Sequence, residues 1–241
     1  MLDDLREKTI LITGAAGGIG SETARVCAAM GAHLVLLDRD EPLAFAEELR
    51  KSCGVTVITR ALDVRDRPAT EKLLNELERL DAVVANAGFC PWDDWNDADW
   101  DDVFRQVVDI NLLGVINLVR PAMAKMAYTG KGKIVLVSSV AARMGGLKAS
   151  PHYVAAKGGV SALVKWLARK GAQAGINVNC VAPGASVTAM TASTSIDTSG
   201  IPMGRMSSAR EIALPIAFLC TNGANYMCGA TIDVNGGVYM P

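Results

Sequence analysis

The sequence predicts a doubly wound α/β fold: a parallel sheet of about seven strands with helices on both faces. Three observations predict it. Short β-rich apolar runs alternate with longer stretches of helical period along the whole 241-residue chain. The strand cores are near-continuous Val, Ile and Leu, the pattern of strands buried on both faces. No internal repeat, low-complexity tract or linker interrupts the alternation. One domain over residues 1–241, with right-handed crossovers, is the expected organisation.

The strands are expected at 9–13 (TILIT), 33–38 (HLVLLD), 55–62 (VTVITRAL), 81–86 (DAVVAN), 133–138 (KIVLVS), 177–182 (NVNCVA) and 231–235 (TIDVN). Helical periodicity covers 17–30, 41–52, 66–79, 99–127, 152–174 and 208–222. In RDRPATEKLLNELERL, Pro68 suits a first helical turn and Leu73, Leu74, Leu77 and Leu80 mark the buried face. The stretch 183–207, PGASVTAMTASTSIDTSGIPMGRMS, is irregular and rich in Thr, Ser, Gly and Pro. It follows a strand end, where loops of this length often cover sites, so residues 188–207 are expected to form a lid.

Composition excludes several classes. The formal net charge is -1, from 24 basic and 25 acidic residues, which offers no bulk attraction to nucleic acid or anionic lipid. No uninterrupted apolar run reaches the roughly 20 residues of a membrane span. The N-terminus is acidic where a secretory leader is basic. A cytoplasmic protein without nucleic-acid or membrane partners is the expectation. The six cysteines form no CxxC pair and have no histidine at ligand spacing, so reduced thiols and no metal are expected. The two histidines are His33 and His152.

The first strand runs directly into GAAGGIG (14–20) and then a helix. Gly14, Gly18 and Gly20, with Ile19 between, make a tight turn whose helix amides and positive dipole end suit a pyrophosphate. The spacing GxxxGxG departs from the usual GxGxxG, but strand and helix flank it correctly. Asp38 ends the next strand, 18 residues past Gly20, where a carboxylate bonds the adenosine ribose hydroxyls and repels a 2′-phosphate. That favours NAD. Arg39 lies across the adenine or in solvent in this reading, and holds a phosphate in the NADP reading.

Further along stand NAG (86–88), DINLLG (109–114), VSSV (137–140), YVAAK (153–157), NCVAPGASVT (179–188) and IDVNGG (232–237). With TGAAGGIG these motifs, in this order, resemble the compact short-chain dehydrogenases/reductases, and the resemblance spans essentially the whole chain. It implies a single-domain Rossmann-like fold and a homotetramer built through the two long helices and the C-terminal strand. It implies a catalytic set of Asn111, Ser139, Tyr153 and Lys157. Ser139 lies 14 residues before Tyr153, one more than is common, and Ser139 is preferred over Ser138 because it leaves the smaller discrepancy. Gly17 stands where many NADP-using members have a basic residue.

The implied roles follow residue by residue. Tyr153 moves the proton at the substrate oxygen. Lys157, one turn on and on the same helix face, lowers the phenol's pKa and reaches a ribose hydroxyl. Ser139 holds the substrate oxygen, and Asn111 anchors a water or a backbone kink. Asp63 and Val64 meet the adenine, Asn86 and Gly88 border the ribose, and Pro183, Gly184, Ser186 and Thr188 meet the nicotinamide end. The substrate pocket is expected to draw on Cys90, Trp92, Ala141, Met144, His152, Met190 and Met203. Their apolar, thioether-rich character favours a neutral secondary alcohol or ketone. A 3-oxoacyl thioester is the alternative if Lys148 or Arg205 points inward, and a catalytically silent dinucleotide-binding protein is the alternative of another class.

Overall fold

The computed structural model describes residues 4–146 and 148–241. Residues 1–3 of the expected 1–241 domain, and Leu147, lie outside the described residues. In chain order the elements are β1 (Thr9–Thr13), α1 (Gly18–Ala29), β2 (His33–Asp38), α2 (Leu43–Cys53), β3 (Val57–Ala61), α3 (Arg67–Glu76) and β4 (Ala82–Ala85). Then come α4 (Trp100–Val108), α5 (Gly114–Thr129), β5 (Gly132–Val137), α6 (Ala141–Met144), α7 (Pro151–Ala172) and β6 (Ile176–Pro183). Last are β7 (Ser186–Val187), β8 (Ser207–Ser208), α8 (Ala209–Cys220) and β9 (Thr231–Val234).

Seven strands pair in the order β3-β2-β1-β4-β5-β6-β9, all parallel, in a Rossmann-like sheet. The chain winds outward from β1 to β3, returns to β4 and winds outward the other way. That reversal leaves a crevice beyond the carboxyl ends of β1 and β4, where open α/β sheets take their ligands.

Alternation along the buried strands divides the interior. Ile10 and Ile12 join Leu34, Leu36, Leu49, Ile212 and Ile216 on the side of α1, α2 and α8. Leu11 joins Val35, Leu37, Leu74, Leu118, Val160 and Val164 on the side of α3, α5 and α7. A strand's side chains point to opposite faces in turn, so each strand feeds both cores. The helix ends follow local chemistry. Asp66 accepts from the Ala69 amide at 2.9 Å to start α3, and Ser208 and Glu211 form a reciprocal capping box on α8.

Two features depart from the sequence expectation. The helix expected over 99–127 carries a π-helical turn at Asp109–Leu113, centred on Asn111. Within its whole run, Trp100–Thr129, an 18-residue window of mean hydropathy 1.4 is long and apolar enough to cross a membrane by composition. Half of that apolar window is buried in the fold, where α5 packs on α3, β4 and β5. The irregular stretch after β6 is also more ordered than expected. β7 and β8 pair in parallel and bring the two ends of this stretch together, and the Ser186 and Ser207 hydroxyls meet at 2.7 Å.

Candidate active site

At the end of β1 the backbone turns through Gly14, whose φ of +64° belongs to the left-handed region open to glycine. A Cβ on Gly20 would lie 2.0 Å from the Gly14 carbonyl oxygen, so the turn closes only with glycine there. α1 starts at Gly18 with no side chain capping it. Its first-turn amides and dipole therefore face the crevice. Ile19 tucks against the core beneath the turn. Asp38 reaches back into the turn: its carboxylate accepts from the Ala16 amide at 2.9 Å and from the Arg39 amide at 2.8 Å. This places the carboxylate beside the glycine turn at the adenosine end. Arg39 is exposed next to it.

β4 delivers the middle of the site. Asn86 donates to the carbonyls of Thr13 and Gly14, at 3.0 and 3.1 Å, and stitches β4 to the glycine turn. A Cβ on Gly88 would sit 3.0 Å from Asn111 Oδ1 and 3.4 Å from Lys157 Nζ, so this glycine keeps a cradle open beside the lysine. Asp63, at the end of β3, is paired with Arg65 at 2.6 Å, and Val64 packs on Gly114. The Leu62 amide donates to the Asp38 carbonyl at 2.7 Å and keeps this corner beside Asp38. On the far side, the Pro183 carbonyl accepts from the Val140 amide at 2.7 Å. Gly184 lies against the Asn235 backbone, closer than a side chain would allow. Ser186 is buried and its hydroxyl serves the lid base, whereas Thr188 extends to Gly18. A glycine turn with an uncapped helix end, a carboxylate at its adenosine side and a cradle at Gly88 together fit a dinucleotide lying across the switch point.

The chemistry-bearing set converges where α7 crosses the ends of β4 and β5. Asn111 is fully buried: its amide donates to the carbonyls of Phe89, at 2.7 Å, and Val107, at 2.9 Å, and its oxygen accepts from the Phe89 amide. It ties the π turn to the strand-end backbone, the kink alternative among its expected roles. The two serines separate by direction. Ser138 is buried and donates to the Lys157 carbonyl at 3.0 Å, while Ser139 lies near the Tyr153 hydroxyl. The Ser139 hydroxyl also accepts from the Ala141 amide. Lys157 sits 5.8 Å from the Tyr153 ring centroid, and its ammonium donates to the Val137 carbonyl at 2.9 Å.

The electrostatics of this pair differ from the expectation. Burial pushes the Tyr153 phenol above its ordinary value, the neighbouring Cys90 pushes the same way, and the Ser139 bond opposes both. Burial brings the Lys157 amine down to about 8. The amine has lost its proton by the pH at which the phenol ionises, so it does not favour the phenolate in the protein alone. A cation added beside both groups would.

The residues expected around the substrate divide into four groups. Cys90 and Ala141 are buried beside the catalytic set, and burial pushes the Cys90 thiol up to about 11. Trp92 and Met190 meet: the Trp92 indole donates to the Met190 carbonyl at 2.8 Å, so the loop after β4 touches the lid. Met144 is partly exposed at the end of α6. His152 and Met203 stand apart. His152 has no exposed surface; it is turned into α4 and stacks on Trp100 at 5.5 Å. Met203 lies over Gly236 with Ile201, around a small hollow of about 70 Å³ bordered by Arg205 and Glu211. The rim cations are engaged as well: Arg143 with Asp233 at 3.1 Å, Arg205 with Glu211 at 2.7 Å, and Lys148 with the Ser195 carbonyl.

The acidic run 91–102, PWDDWNDADWDD, has the composition of a solvated loop and helix start. Instead Asp93 bonds Ser150 and His152, and Trp100 covers the imidazole. Partners 57 and 59 residues apart leave no local signal.

Comparison with known proteins agrees with this geometry. Residues 8–199 match the short chain dehydrogenase family. A cis-4-hydroxycyclohexanecarboxylate dehydrogenase from Sinomonas cyclohexanicum is 35% identical, over 96% of this chain and 96% of its own. A 3-oxoacyl-[acyl-carrier-protein] reductase from Salmonella typhimurium is also 35% identical, over 97% of this chain and 98% of its own. Among solved structures, a candidate NAD(P)-dependent gluconate 5-dehydrogenase from Beutenbergia cavernae, with NADP bound at low occupancy, superposes with a TM-score of 0.92 at 30% identity. That alignment covers 99% of each chain. The parallel sheet, the glycine turn at its switch point and the match over most of the length lead to one conclusion: this chain belongs to the short-chain dehydrogenase family of oxidoreductases.

Proposed function

We propose that residues 1–241 form one catalytic unit, with 188–207 as its lid. It moves a hydride between NAD and a neutral secondary alcohol or ketone, and Tyr153 is the general acid/base. The observation that carries this reading is the convergence of Ser139, Tyr153, Lys157 and Asn111 at the sheet's switch point. The bound nicotinamide supplies the hydride acceptor or donor. The chain's residues do the rest. Ser139 holds the substrate oxygen against the Tyr153 hydroxyl, and Tyr153 takes the alcohol proton in oxidation or returns it in reduction. Lys157, beside the Gly88 cradle, reaches the ribose side, and the positive charge of the oxidised cofactor beside the pair favours the phenolate. Trp92 and the lid exclude water from the reacting carbon.

The engaged rim cations support an uncharged substrate, because none of Arg143, Lys148 and Arg205 is free to meet a carboxylate or phosphate. The 35% identity to a 3-oxoacyl-[acyl-carrier-protein] reductase favours thioester reduction as a second reading. Initial rates of NADH formation with aliphatic, cyclic, aryl and polyol alcohols and a 3-hydroxyacyl thioester separate the two. Turnover of the thioester alone would replace the first reading. No turnover of any of them, with NAD⁺ still bound, would move the weight to a binding protein without chemistry.

Asp38 carries the NAD preference. Asp38→Ser removes a carboxylate that would face a 2′-phosphate beside Arg39. It is expected to raise kcat/KM for NADP⁺ relative to NAD⁺ by about a hundredfold. An unchanged ratio would remove Asp38 from cofactor choice.

The long helices favour self-association. Phe104, Leu113, Ile116 and Trp166 are exposed apolar residues on α4, the π turn, α5 and α7. A homotetramer is expected, with a light-scattering mass near four times 25.4 kDa. A mass of one chain would exclude it.

A further inference from the structure

Tyr153 sits in the first turn of α7, the part of a helix with the fewest internal bonds. Something beyond the helix must hold it. Ser150 occupies the N-cap position of α7, yet its hydroxyl does not cap the helix. It donates instead to the Asp93 side chain at 2.5 Å and to the Asp93 carbonyl at 2.8 Å. His152 Nε2 meets the other Asp93 carboxylate oxygen at 2.9 Å. The imidazole is fully buried, stacked on Trp100 with a 13° interplanar angle and flanked by Phe104. Among the described residues, His152 Nδ1 and Trp100 Nε1 are both buried without partners. A cap hydroxyl diverted from its helix and an imidazole buried with half its polar capacity unused are costly for plain packing.

We infer that Asp93 is the centre of a positioning network that holds the first turn of α7, and with it the Tyr153 hydroxyl, against the loop after β4. The network grips the start of α7 at positions 150 and 152, both just before the reacting residue in sequence. It continues to the lid. Trp92 precedes Asp93, has a φ of +61° that non-glycine residues rarely adopt, and bonds the Met190 carbonyl. The left-handed backbone at Trp92 lets adjacent residues serve opposite partners: Trp92 the lid, Asp93 the catalytic helix. Asp93, His152 and Ser150 are positioning residues, since they act through Tyr153.

This inference rests on the reading of Tyr153 as the acid/base, so its test keeps the two apart. One readout needs no substrate. The near-ultraviolet absorbance of phenol ionisation, taken as wild type minus Tyr153→Phe in the NAD⁺-bound protein, gives the titration midpoint of Tyr153. Asp93→Ala loosens the placement of Tyr153 beside Ser139, whose hydroxyl favours the phenolate, and is expected to move the midpoint up by about one pH unit. His152→Ala moves it the same way. His152→Gln, whose amide can still donate to Asp93, restores most of the wild-type value. With the fastest alcohol of the panel, Asp93→Ala and His152→Ala lower kcat about tenfold or more and leave KM for NAD⁺ within about twofold. If Asp93→Ala does not fold, Ser150→Ala carries the same two measurements with the loss of one hydroxyl. Wild-type midpoint and kcat in the folded variants, with Tyr153→Phe inactive, would overturn the network alone. A Tyr153→Phe protein that turns over at the wild-type rate would overturn the reading of the reaction.

Discussion

Tyr153→Phe is expected to lower turnover by about a thousandfold while NAD⁺ binds within about twofold of wild type. The magnitude follows from the loss of general acid/base catalysis, which ordinarily supplies about 10²–10⁴-fold. The phenyl ring fills the same space, and the glycine turn, Asp38 and the Gly88 cradle are untouched, so the cofactor site stays intact. The pH profile carries a second signature. Burial holds the phenol above its ordinary value in the protein alone. Oxidation by the wild type should therefore accelerate with rising pH, as Tyr153 spends more time deprotonated. The residual rate of the Phe variant should not follow that curve. Equal turnover by the two proteins would remove Tyr153 from the chemistry.

Lys157→Met is expected to be inactive yet more stable than wild type at neutral pH. The wild-type amine is buried and its pKa is brought down from 10.5 to about 8. Between about pH 8 and 10.5 the unfolded chain binds more protons than the folded one, so wild-type stability rises with pH across that window. Below the folded value the penalty of the buried charge is present in full, on the order of 3 kcal/mol. Methionine removes the charge and keeps a flexible stem of similar length. It also loses the hydrogen bond to Val137, worth about 1 kcal/mol. The net expectation is a gain of about 2 kcal/mol at pH 7 that shrinks towards zero near pH 10. Thermal melts of both proteins at the two pH values measure it. Activity should fall at least a hundredfold, the usual exchange between stability and a functional buried charge. A Met variant less stable than wild type at pH 7 would show that the Val137 bond outweighs the buried charge.

The architecture was legible in the sequence because the strands are buried on both faces. Apolar runs such as KIVLV and HLVLL admit few readings between helical segments, and β5 and β2 lie within a residue of the expected ranges. The glycine turn was legible because backbone sterics tie residue type to position, and Asp38 lies beside it where its spacing from Gly20 puts it. The serine ambiguity yielded to packing: Ser138 is drawn to the Lys157 carbonyl and Ser161, which leaves Ser139 facing Tyr153. Helical spacing correctly put Tyr153 and Lys157 on neighbouring turns. It could not say that the ammonium takes the Val137 carbonyl, because that carbonyl comes from a strand 20 residues away. The π turn depends on bonds from Asn111 to Phe89 and Val107, and no periodicity records it. His152 was expected at the pocket because it adjoins Tyr153. In a helix, adjacent residues point about 100° apart, and the imidazole turns into α4 instead.

The pairing of β7 with β8 has an evolutionary side. Because Ser186 and Ser207 clasp the two ends of the irregular stretch, the residues between them leave and re-enter the fold at one point. They form a cassette: insertions and substitutions there leave the register of the main sheet and the glycine turn undisturbed. A lineage can then rewrite this one segment and keep the rest of the fold it inherited.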